Sequence, residues 1–519
     1  MQTVDQTGTQ SLPTTDYSLL TTIHERSPVI YPDINEIKKL AANYTVIPVV
    51  KTVLADTETP VSVWLKLFKK EKYSFLLESV VGGDTVARYS FLGGDPFMTF
   101  SARATSWEIN GVQTDSGNTD PIGRLRSLLS AYQSPKLLHL PRFTGGAVGF
   151  FGYDSIRLWE NIPDKNPKED PLDDIFFAFY KDLIAFDNKE HRLLLISNII
   201  VTPDTDLDIA YKQSLYNIGV MEDKMAVRLM SHSISVEPQS EPVSNFAREE
   251  FENAVNKSKE YIKAGDIFQV VISQRFAVKV KADPFDLYRT LRVVNPSPYM
   301  FYLSLDETAV VGASPEMLVR IEDGTIEVRP IAGTCRRGKT EKEDDELVRA
   351  LLDDPKERAE HIMLVDLGRN DVGRVSEYGS VHVEEMMHIE KYSHVNHIVS
   401  NVYGTLRSDK DIFDALFSCF PAGTLSGAPK IRAMEIIDEL EKVKRGLYGG
   451  ALGYIDFSGN IDTCIVIRTM VYHKGTALIQ AGAGLVADSV PAREYQETVE
   501  KASAQFSAIK RAAEISGTN

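Results

Sequence analysis

Short runs of β-branched and aromatic residues, cut off repeatedly by turn residues, constrain this chain more than any other feature. VIPVVKTVL (46–54), YSFLLESVV (73–81), the alternating MTFSARATSWEI (98–109), FFAFYKDLIAFD (176–187) and HRLLLISNIIV (191–201) follow one another closely. The third run ends at Asn110-Gly111, a dipeptide that readily takes the two left-handed conformations of a tight hairpin. Such runs outnumber what a regular alternation of strand and crossover helix would produce. The expected fold class is therefore mixed α/β (α+β), with large, mostly antiparallel sheets.

At 519 residues, the chain is long enough for two to four domains or one large fused core. Hydrophobic residues at 43% and charged residues at 25% are globular values and exclude disordered and collagen-like classes. No window approaches the ~18 uninterrupted apolar residues of a membrane span. The first twenty residues lack a basic region followed by an apolar one, so secretion is not expected. A net charge of −16 repels phosphate backbones and argues against nucleic acid as a partner. Cys335, Cys419 and Cys464 form no CxxC pair, which fits a reducing cytoplasm. Polar residues 1–44 read as a mobile lead-in, and SHSISVEPQSEPVSN (231–245) reads as a linker. The expected domains are then 45–230 and 246–512. GGAVGFFGYD (145–154) reads as closely packed backbone rather than loop. Helices are expected over 122–133 and 206–229.

Two helical segments of the second half put carboxylates on one stripe. In KERAEHIMLVDLGRND (356–371), Glu357, Glu360, His361 and Leu364 recur at i, i+3, i+4 and i+7. In PAREYQETVEKASAQFSAIKRA (491–512), Glu494, Glu497 and Lys501 recur at i, i+3 and i+7. One such pair is ordinary solvated surface; two together supply the oxygen set a hard cation such as Mg²⁺ prefers. The loop FPAGTLSGAPK (420–430) opens a helix at about Pro429, whose N–H groups could receive an anion. It lacks the Gly-Lys-Ser/Thr of a nucleotide-binding loop. Glycines in RGLYGGALGYID (445–456) and IQAGAGLV (479–486) either admit a ligand to the backbone or sit at sheet bends. Arg468, inside the apolar run CIVIRTMVY, calls for an anionic partner, and a guanidinium matches a carboxylate. His394 and His397 lack both the helical spacing and the cysteine company of a zinc site, so an acid–base role is the better reading. The residues alone thus suit the second half to a divalent cation together with a carboxylated small molecule.

The run from about 250 to 505 resembles the chorismate-utilising enzymes, and within them the anthranilate synthase component I family. The resemblance rests on NPSPYMFYL (295–303), VGASPEMLV (311–319), RPIAGT (329–334), ERAEHIMLVDLGRND (357–371), KYSHVNH (391–397), FPAGTLSGAPKIRAMEII (420–437), YGGALGY (448–454) and AGAGLVADS (481–489). It extends into the first half through SFLLESV (74–80), RYSFLG (88–93) and GGAVGFFGYD. The family members that add water to chorismate carry a general-base lysine where this chain has Gln269, and Gln cannot take a proton from water. Those resembling aminodeoxychorismate synthase often carry a lysine nucleophile where PIAGT has Ala332. Both departures favour ammonia as the nucleophile.

The resemblance implies helices outside the sheets, two intimately associated halves, and a magnesium-dependent amination of chorismate with loss of pyruvate, giving anthranilate. Aminodeoxychorismate synthase component I is the alternative. Glu360 and Glu497, with Glu357 and Glu494, would hold Mg²⁺ against the ring carboxylate. Glu316 would protonate the leaving hydroxyl and His397 would assist ring deprotonation. Tyr448, Arg468, Gly482, Ala483 and Gly484 would hold the enolpyruvyl carboxylate, while Gly333, Thr334, Thr424 and Lys501 complete the pocket. Leu77, Glu78 and Ser79, with Asn295, Pro298, Tyr299 and Met300, would form a feedback site for tryptophan. No cysteine sits in a nucleophile elbow, so the resemblance implies ammonia from a separate glutaminase subunit, in a heterotetramer of two large and two small chains.

Overall fold

A computed structural model describes residues 30–79, 88–113, 120–229, 233–391 and 395–517. Its strands pair antiparallel throughout and assemble two large sheets. Both sheets take strands from either side of the 231–245 stretch. In the first, Tyr73–Glu78 pairs with Tyr299–Leu305, setting Glu78 opposite Met300. In the second, Gly146–Phe151 pairs with Ala451–Asp456. The 231–245 stretch itself adds Val236–Pro238 and Val243–Ser244 alongside the strand Gln269–Ala282.

Between the sheets lies a core rich in aromatic rings, including Phe75, Phe91, Phe143, Phe150, Phe301 and Tyr454. Phe143 meets Phe91 edge-on at 5.3 Å and stacks on Tyr454 at 4.4 Å, the two geometries a ring quadrupole favours. Helices cover the outer faces. Pro121–Ser130 and Leu207–Ala226 lie where the apolar spacing places them. The expected close packing at GGAVGFFGYD is found: Gly146–Phe151 is fully buried, and a Cβ on Gly149 would come within 1.9 Å of the Phe176 carbonyl oxygen.

Two expectations are corrected. Residues 30–44 are built into the fold rather than forming a lead-in. Ile30–Tyr31 pairs with Val50 and Lys51, and the helix Ile34–Leu40, capped by Asp33, buries Ile37 completely. The remainder of the lead-in lies outside the described residues. The run 98–109 is a hairpin rather than one strand: Met98–Arg103 folds back on Ser106–Ile109. Ala104 takes the left-handed conformation there (φ 49°), a turn without a glycine or asparagine to announce it. Asn110 and Gly111 do form the next turn, both at positive φ.

Candidate active site

A cavity of about 800 Å³ opens between the edges of the two sheets, and its walls come entirely from residues 269–501. Gln269 and Val271 begin the strand on one side, with Gly482 and Gly484 on the neighbouring strand. Gly333 and Thr334 stand opposite, on a strand paired to Val395–Thr405, where Thr334 and His397 are register partners. The helix Pro355–Gly373 and the C-terminal helix Pro491–Gly517 close the cavity with their acidic faces. The first is started by Pro355 and by Asp354, whose side chain accepts the N–H groups of Lys356 and Glu357.

Glu316 enters from the turn between two strands, its carbonyl accepting the Ile465 N–H at 3.0 Å. Burial in the cavity wall pushes its carboxyl up to about 7, opposed by the Thr424 hydroxyl, which donates to Oε1 at 2.9 Å, and by the Lys501 charge. The Nδ1 atom of His397 lies 2.9 Å from the Thr334 hydroxyl. Desolvation lowers the pKa of this imidazole, and the Gly333 backbone carbonyl partly offsets that. His394 lies outside the described residues.

Tyr448 is buried and its hydroxyl is kept protonated by desolvation, accepting the Gly482 N–H. A Cβ on Gly482 would fall 2.8 Å from that hydroxyl oxygen and 3.0 Å from the Ile272 carbonyl oxygen, so the strand must carry glycine there. Arg468 donates to the Lys501 carbonyl, and among the described residues no ion pair gives it a carboxylate partner. The guanidinium is largely desolvated, and Glu497 acts on its charge without pairing with it, so its chemistry suits a carboxylate. Lys501 pairs with Glu497 at 2.6 Å and donates to the Gly482 carbonyl at 3.1 Å.

Glu360, Glu494 and Glu497 line the cavity, and Glu357 stands beside Gly333 just behind the wall. Burial raises the carboxyls of Glu357 and Glu494, and each is raised further by its neighbour one turn on, Glu360 and Glu497 respectively. Among the described residues no three metal-ligating side chains converge on one point. The donor set is of the chemical kind a hard divalent cation takes: all oxygen, in two pairs one helical turn apart, with the members of each pair repelling one another. His361 leaves the predicted stripe. It is fully buried, its Nε2 2.7 Å from the Ser400 hydroxyl, because it sits one residue around the helix from Glu360. Ala483 likewise is not in the wall: alternation along the strand turns its methyl into the core with Val270, Ile272 and Ile436. Asp488, Ser489 and Arg493 also line the cavity, in a loop and helix start that show no stripe for sequence reasoning to find.

A second cavity joins the two halves. Leu77, Glu78 and Ser79 meet Pro298, Tyr299 and Met300 there, with Arg142, Arg320 and Asp462 around them. Glu78 is held by Arg292 (3.0 Å) and by the Tyr288 hydroxyl. Tyr299 donates to Asp462 at 3.0 Å, and Arg320 holds the same carboxylate. Asn295 is absent from this wall. It ends the helix Pro284–Val294, with its N–H committed to the Leu291 carbonyl.

Among the described residues no helix is long and apolar enough to cross a membrane. A family model for chorismate binding enzymes matches residues 75–507. Anthranilate synthase component 1 of Acetivibrio thermocellus is 48% identical over 94% of this chain and 100% of its own length. The protein of the same name from Pseudomonas aeruginosa is 47% identical over 91% of this chain and 98% of its own. The crystal structure of anthranilate synthase component I from Streptococcus pneumoniae superposes with a TM-score of 0.71 at 36% identity, covering 87% of this chain and 98% of that one. The menaquinone-specific isochorismate synthase of Escherichia coli shares the fold at 16% identity, with a TM-score of 0.67 over 92% of this chain and 98% of that one.

Proposed function

Because the chain belongs to the chorismate-binding enzymes, and within them to the anthranilate synthase component 1 group, we propose that it turns chorismate and ammonia into anthranilate and pyruvate. The observation that carries this reading is the cavity wall. One side offers a carboxyl poised near neutrality, the other an anion-seeking arginine, and Gln269 and Ala332 stand in that wall without the lysines of water-adding or lysine-attacking relatives.

The substrate's side-chain carboxylate goes to Arg468, to the Tyr448 hydroxyl that the Gly482 N–H positions, and to the Gly484 backbone, which fixes the ring between the two acidic helices. Glu316, protonated until it acts, gives its proton to the leaving ring hydroxyl, which would otherwise depart as hydroxide. Thr424 keeps the Glu316 carboxyl aimed while it waits. His397 takes the ring proton as pyruvate leaves, its imidazole kept neutral by desolvation and oriented by Thr334. Glu360 and Glu497, with Glu357 and Glu494 directly or through water, would hold Mg²⁺, which when bound supplies charge for the ring carboxylate. Ammonia comes from a separate glutaminase subunit, in a cytoplasmic assembly of two large and two small chains.

The second cavity takes tryptophan as a feedback inhibitor. A site with walls from both halves senses their relative position, and a ligand that binds one arrangement better shifts activity by that difference. The test is product analysis with purified chain, chorismate, Mg²⁺ and ammonium. Anthranilate and pyruvate support the reading; an aminated ring that keeps its enolpyruvyl group moves the chain to the aminodeoxychorismate branch.

A further inference from the structure

The catalytic wall is fastened from behind by an ion pair that the reaction itself does not use. Arg445 and Glu441 lie just beyond the helix Lys430–Leu440, with side chains 1% and 4% exposed. Nη2 of Arg445 reaches the carboxylate at 2.6 Å and Nε reaches it at 3.0 Å. The rest of the fork is also engaged. Nη1 donates to the Leu425 carbonyl at 2.6 Å and Nη2 to the Val271 carbonyl at 2.7 Å. The guanidinium lies 4.7 Å from the Tyr153 ring centre and 5.6 Å from that of Tyr448. Glu441 in turn accepts the N–H and the hydroxyl of Ser273, both at 2.8 Å.

Three chain segments of the cavity wall therefore meet on one guanidinium. Leu425 follows Thr424, which holds Glu316; Val271 is in the wall two residues after Gln269; Tyr448 holds Gly482. A buried ion pair is a poor choice for stability alone, since apolar residues of similar volume often do as well or better. What a rigid planar fork adds is direction, five N–H groups at fixed angles. We propose that Arg445, held by Glu441, is a positioning residue that sets Tyr448 and Thr424 in register with each other and so aligns substrate with its acid. The inference rests on the functional reading above, because the groups it aligns are the ones assigned there.

The test compares wild type with R445K and E441Q for kcat, KM for chorismate, KM for ammonium and thermal midpoint. Lysine keeps the charge opposite Glu441, but one ammonium cannot serve the carboxylate, the Leu425 carbonyl and the Val271 carbonyl in the same geometry. Misplaced wall groups are expected to raise KM for chorismate and lower kcat, each by about 10- to 100-fold, with KM for ammonium unchanged. E441Q keeps acceptors for Ser273 and should move both constants in the same directions, by less. A lowered thermal midpoint with wild-type kcat per folded molecule and wild-type KM would mean the pair is only structural, overturning the proposal. If R445K does not fold, E441Q decides by the same split. Should wild type make no anthranilate, the functional reading fails by itself, and chorismate dissociation constants from calorimetry replace KM. Equal constants in wild type and E441Q then overturn the positioning role.

Discussion

The proposed role of Glu316 as the acid requires a carboxyl kept from ionising early near neutral pH, and burial raises it in that sense. The unfolded carboxyl ionises near 4.5 and the folded one at about 7, so ionisation increasingly favours the unfolded chain as pH rises from 4.5 to 7. Above pH 7 the cost is constant, on the order of 3 kcal/mol from the size of the shift. Glu316→Gln is therefore expected to raise the thermal midpoint at pH 8 while cutting kcat by about 10²- to 10⁴-fold, as loss of a general acid does. Wild-type kcat should fall as pH rises through about 7, and that limb should vanish in Glu316→Gln. Thr424→Val removes a hydrogen bond that favours the ionised form, so its alkaline limb should move to higher pH; an unmoved limb would show that Glu316 does not set it. None of this was legible in residue patterning. Glu316 stands alone in a strand turn, and only the likeness of VGASPEMLV to the family pointed to it.

Helical stripes were legible, because a period of 3.6 residues survives in any sequence whose helix has one wet and one dry side. Glu360 and Leu364 of the stripe do face the cavity, with Glu357 just behind its wall, yet His361 at the border turns inward, a difference of one step in rotation. Strands were legible as runs, but their folds were not where the turn used Ala104 instead of glycine. Residues 30–44 escaped notice because a seven-residue helix that buries one isoleucine leaves almost no periodic trace. Alternation also hides which side of a strand faces a ligand: Gly482 and Gly484 line the cavity while Ala483 does not. Gly482→Ala tests that assignment. Its methyl would displace the Tyr448 hydroxyl or the Ile272 backbone, so KM for chorismate should rise at least tenfold. Ala483→Gly, on the core side, should lower stability with KM unchanged.

Both sheets run through the whole molecule, so neither half can shift without moving strands shared with the other. The sequence showed a polar 231–245 stretch between two halves; it could not show that pairing across Tyr73–Glu78 and Gly146–Phe151 joins them, since long-range pairing leaves no local mark. Phe150→Ala, in the core between the sheets, should cost about 3–5 kcal/mol in a single unfolding transition seen alike by probes in either half. Ser79→Ala should weaken tryptophan inhibition with kcat unaltered; inhibition as strong as in wild type would remove the second cavity from the regulatory account. The most direct measurement is the product spectrum of the purified chain with chorismate, Mg²⁺ and ammonium, run with and without tryptophan and after chelation of the metal. The account predicts anthranilate and pyruvate in equal amounts, suppressed by tryptophan and abolished by chelation. An aminated ring that retains its enolpyruvyl group, or unchanged turnover without divalent metal, would contradict it.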